Sequence, residues 1–155
     1  VGWVTQLVID KSVCKRYIAT QLLQTLKSQM VVSLISSHPA ACNILAKYAS
    51  TNIYDVDLDF IRTHAEGILA SSSISYLKAA ELRGNLFQAD CDASTVSSVF
   101  TSFYVDHTEP LEALQQYKAK GQWCLGDLLE GHEFLAIFPI EPLSPIEPPL
   151  SPIGL

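Results

Sequence analysis

The chain has 155 residues and a net charge of −6, with 48% hydrophobic and 17% charged side chains. That length fits one domain of ordinary size, and so many apolar groups with so few charges exclude intrinsic disorder for most of it. An acidic balance does not suit a phosphate backbone, so no nucleic-acid partner is expected.

Val1 stands where an initiator Met would be, so the sequence reads as part of a longer protein or as a processed product. No apolar run reaches the roughly 18 residues of a membrane span, and no membrane span is expected. Trp3 to Ile9 is too short for the apolar part of a signal peptide and runs into Asp10 and Lys11. Cys14, Cys42, Cys91 and Cys124 are far apart and form no Cys-x-x-Cys pair. They read as small buried hydrophobes in a reducing compartment, which places the chain inside the cell, in cytoplasm or nucleus. Two disulfides in a secreted domain are the alternative.

In chain order, the apolar spacing is helical almost throughout. Ser12 caps a predicted helix in which Cys14, Ile18, Leu22 and Leu26 step by four. Met30 to Ile35 continues as a second apolar stretch that His38-Pro39 ends, and Pro39 opens the next helix, with Ala41, Ile44, Leu45 and Tyr48 on its buried side. Leu58, Ile61, Ala65, Ile68 and Leu69 mark another helix, started by Asp55 or Asp57. Ser73 or Ser75 opens a helix through Leu86 or Phe87 that is apolar all round and belongs at the centre of the packing. Val96, Val99, Phe100, Phe103 and Tyr104 give the cleanest helical stripe in the chain. Thr108, Glu109 and Pro110 start a helix that Gly121 stops, and Trp123 to Leu129 fits one further short helix. Phe134 to Phe138 is short enough to be strand or helix.

Few motifs carry chemistry. Asp55, Asp57, Asp59, Thr63 and Glu66 occupy ligand positions of a calcium-binding loop, but Phe60 stands where the sharp turn needs glycine, so the acids read as a helix start. His132-Glu133 lacks the second histidine of a zinc-protease helix, because Ala136 occupies its place. No catalytic residue, metal ligand or cofactor is assigned. Lys11, Lys15 and Arg16 read as the solvated side of a helix.

Residues 139–155 differ in kind, holding six of the eight prolines and a tandem Ile-Glu-Pro…Leu-Ser-Pro-Ile repeat. Such a segment favours extended polyproline II. One reading is a linker. The other is recognition, in which Leu143, Pro145, Ile146, Leu150, Pro152 and Ile153 dock in a groove of a partner or of this domain itself. Ser144-Pro145 and Ser151-Pro152 fit a proline-directed kinase, which would add charge to the tail.

Met30 to Tyr48, a helix, a proline turn and an alanine-rich helix in succession, resembles armadillo or HEAT-type repeats. The resemblance implies scaffolding by a concave surface without catalysis. The expected fold is all-α: an irregular bundle or short α-solenoid of helical hairpins over residues 1–138, followed by the tail, 139–155. The expected function is a non-catalytic interaction module of a larger protein or assembly, whose apolar helical surface is covered by another protein chain or by self-association. A helical pocket for a lipid or other apolar ligand is the alternative. An enzyme, with His64 and Asp106 brought together from a distance, ranks third.

Overall fold

The computed structural model describes residues 2–4, 31–87 and 95–140. It corrects the all-α expectation: the chain is α/β, built on a five-stranded mixed sheet in the order β1-β2-β5-β4-β3. The strands are β1 (Gly2–Val4), β2 (Val31–Ser36), β3 (Glu81–Arg83), β4 (Ser98–Phe103) and β5 (Gly131–Pro139). β1 runs parallel to β2, and the other pairs are antiparallel. The resemblance to armadillo and HEAT repeats falls with this sheet, as does the idea of a helical repeat, because Val31–Ser36, the first half of the supposed hairpin, is a strand inside it.

The physical reason is local. Val31, Val32 and Ile35 are β-branched, stiff at χ1 and better placed on a pleated surface than in a helix. Continuous apolar runs also belong to strands covered on both faces. Val32 to Ile35 are buried without alternation, and so are Phe134 to Phe138 of β5, the part of that strand that pairs with β2. Val96 to Tyr104, expected as a helix, is corrected as well. Its i, i+3, i+4 spacing is real, but the segment carries β4, with Val99 fully buried and Phe103 and Tyr104 half or more exposed.

Three helices match the sequence expectation and lie in the described residues: α1 (Pro39–Tyr48), α2 (Leu58–Ala70) and, after the short α3 (Ser75–Lys78), α4 (Thr108–Ala119). Pro39 takes the first turn of α1, and the His38 Nδ1 accepts the Ala40 N–H at 3.1 Å. Asp57 caps α2 by accepting the Phe60 N–H at 3.0 Å, so this carboxylate is engaged as a helix start. Two further expected helices are shortened or missing. The one from Ser73 to Phe87 is a single turn followed by β3, and Trp123–Leu129 is irregular. The expected Ser12 helix, the Lys11, Lys15 and Arg16 cluster and all the tail residues singled out above lie outside the described residues.

α1 packs on β2 and β5, α2 packs on β5, and α1 also meets α4. The α4–β5 connection folds Trp123 edge-on against Phe134, ring centroids 4.8 Å apart, and anchors it by an indole N–H bond to the Gly126 carbonyl at 2.7 Å. Cys42 and Cys124 are free thiols. Burial pushes the Cys42 thiol up to about 12, so it acts as an inert apolar group. Cys124, raised by burial too, donates to the Ile53 carbonyl at 2.9 Å.

Phe134 is fully buried in the central strand. Phe134→Ala is expected to destabilise the fold by about 3–5 kcal/mol in a denaturant titration. Lys120→Ala, on an exposed helix cap, should stay within about 0.5 kcal/mol.

Candidate functional site

The site begins with a disruption of the β4–β5 ladder. Ser98, Val99 and Phe100 face Phe134, Glu133 and His132 in regular register, but the next paired residue, Phe103, faces Gly131. Thr101 and Ser102 are therefore extra on β4, and the ladder bulges there. Ser102 takes up the bend in the left-handed region, φ 57°, where a residue with a Cβ is uncommon. Gly131 opposite it has φ 73°.

The bulge sends the chain out over the start of β5. A Cβ at Gly131 would lie 2.8 and 2.9 Å from Tyr104 ring atoms, so the tyrosine rests on the bare glycine backbone. Its remaining surface stays open, and Tyr104 is 68% exposed. Beside it are Phe103 at 50%, Val105 at 40% and, one turn into α4, Leu111 at 41%. Among the described residues these are four of the six large apolar side chains that remain exposed, the others being Tyr54 and Tyr76.

Tyr104, Val105, Leu111 and Leu128 line an open groove of about 480 Å³ between the β4–α4 turn and the β5 start. Asp106 and Glu130 stand on it as acids. The Asp106 carboxylate accepts both the Thr108 N–H (2.9 Å) and the Thr108 hydroxyl (2.6 Å), which holds it below the usual carboxylate range and occupies the N-terminus of α4. The groove thus mixes polar and acidic groups, Asp106, His107, Thr108 and Glu130, with the apolar Tyr104, Val105, Leu111 and Leu128. A second hollow of about 510 Å³, between α2 and β3, includes none of the exposed large apolar residues in its lining. Both hollows are open rather than enclosed.

Polar groups support the bulge from inside. Thr101 donates its hydroxyl to Glu133 Oε2 at 2.8 Å. Burial raises the Glu133 pKa above its ordinary value, opposed by that hydrogen bond and by the His107 imidazole. His107, buried where it lines the groove, leaves Nε2 without a hydrogen-bond partner. His132 packs its ring on Phe100 at 5.1 Å.

The residues considered for catalysis have other occupations. His64 is exposed on α2, its ring 4.4 Å from Phe60, and Asp106 serves Thr108. Asp59 pairs with Arg62. No group of three or more His, Cys, Asp or Glu that could hold a metal occurs among the described residues. No helix among them is long and apolar enough to cross a membrane. Sequence reasoning missed Tyr104, Gly131, Thr101 and Glu133. The available signal was the apolar triplet Phe103-Tyr104-Val105 set directly against the helix start Asp106 to Pro110, which leaves no room for a helix to continue.

No protein-family model matches the chain, and no curated protein or solved structure matches it either.

Gly131→Ala combines a left-handed φ with a clash on Tyr104 and should destabilise by about 1–3 kcal/mol, read as a lowered unfolding midpoint. Glu133→Gln keeps an acceptor for Thr101 and removes the buried charge. A carboxyl raised in the folded state binds more protons than in the unfolded chain, so its stability contribution is full below the ordinary carboxylate range and falls as pH rises through the raised value. The variant should match the wild type near pH 4 and exceed it above pH 7 in denaturation midpoint.

Proposed function

We propose that this chain is a non-catalytic protein-interaction module whose groove beside the β4 bulge receives an extended apolar segment. The observation that carries this reading is the concentration of exposed apolar side chains: Tyr104, Val105 and Leu111 line one groove and Phe103 adjoins them in the chain, while the remaining described surface exposes two others. Exposed apolar groups scattered singly need no explanation, but a cluster of them marks an interaction surface. Tyrosine and phenylalanine suit that role because they offer large contact area with little side-chain freedom to lose. The groove is also open rather than enclosed, which favours a peptide over a compact small molecule.

Panning a displayed library of short peptides on the whole protein tests this reading. Selected peptides should lose about tenfold or more in affinity on Tyr104→Ala, in the range of an interface anchor. The unfolding midpoint should change little, since the ring is mostly exposed. A library that yields no peptide sensitive to Tyr104 would count against the groove.

A further inference from the structure

We propose that the occupant of this groove is the end of the chain's own proline-rich segment, residues 150–155, docked in cis; the inference rests on the interaction reading above and names its partner. Three observations converge on it. The first is reach. The groove lies at Gly131, the start of β5, and the described chain leaves the opposite end of that strand at Ile140. A strand of this length measures about 27 Å at ~3.4 Å per residue. A proline-rich segment advancing ~3.1 Å per residue covers that distance in about nine residues. Residues 141–149 are spent on the return, and Leu150 is the first to arrive.

The second is charge. Both acids of the tail, Glu141 and Glu147, fall on the returning part, while residues 148–155 carry no charged side chain. The groove's acids, Asp106 and Glu130, would repel the first part and leave the second unopposed. The third is periodicity. Polyproline II has three residues per turn, so Leu150 and Ile153 share one face. An apolar stripe on an extended backbone is what a groove presenting an exposed aromatic ring, here Tyr104, selects. Ser151 sits between them, so phosphorylation there would set new negative charge against Asp106 and Glu130 and release the segment.

A fluorescently labelled peptide of residues 148–155, titrated by anisotropy onto the full chain and its variants, tests the proposal. In the wild type the tethered segment competes at a millimolar effective concentration. The peptide should therefore bind the full chain carrying Leu150→Glu and Ile153→Glu about tenfold more tightly than wild type. Ser151→Glu alone should move affinity in the same direction. Adding Tyr104→Ala to the double variant should abolish binding. Equal affinity of wild type and double variant, or no binding to either, overturns the inference. So does a wild-type dimer in light scattering that the double variant loses, which would assign the segment to a second copy. Library peptides that need Tyr104, alongside a tail peptide that never binds, would leave the groove reading standing and remove only this one.

Discussion

Phe134 to Phe138 are five consecutive buried side chains, and a strand sends successive side chains to opposite faces. Both faces of β5 must therefore be covered at once. This constraint organises the molecule. β2 pairs with β5 along its length and is buried in the same unbroken way, while α1 and α2 pack on β5 and the α4–β5 connection lays Trp123 over Phe134. Such a strand cannot stand at an edge, where one flank would leave backbone groups unpaired. The short strands β1 and β3 take the edges instead.

The groove follows from the same strand at its other end. From Phe134 to Phe138 β5 belongs to the core, but His132 and Glu133 are only half-buried, and between His132 and Gly131 β4 stops matching it residue for residue. The bulge at Thr101 and Ser102 lets β4 leave the sheet and turn into α4 with Tyr104 laid back on Gly131. Core burial fixes one end of β5 and backbone irregularity shapes the other. The groove is thus mounted on the strand whose centre the core buries, and a surface held in this way would lose little freedom on contact.

How much of this was legible depends on whether local chemistry or tertiary context decides. Pro39, Asp57 and the Thr108 to Pro110 start carry their own capping chemistry, and those helices were readable from it. Val31–Ser36 and Ser98–Phe103 carry apolar spacing that both a helix and a strand satisfy. β-branched and aromatic content was the evidence available to arbitrate, and length alone did not. Tyr104 shows the limit in the other direction. A helical stripe predicts it buried, and only the bulge, a property of two strands paired in space, turns it outward. Gly131 could not be recognised as the seat of a tyrosine twenty-seven residues earlier without that pairing.

Three features at this end of the sheet each oppose stability when taken singly. Ser102 holds a left-handed backbone, Glu133 is a carboxyl partly withdrawn from water, and Tyr104 keeps an apolar ring in it. A chain shaped for folding alone would resolve all three cheaply, with glycine at position 102, glutamine at 133 and a small polar residue at 104. They are also mechanically linked, since Thr101 ties the bulge to Glu133 and the bulge delivers Tyr104 to Gly131. Local conflicts that are joined in this way concentrate where a surface must present something to another molecule. The β4–β5 end of the sheet is the place in the described residues where such conflicts are joined, and the proline-rich segment follows the far end of the same strand in sequence.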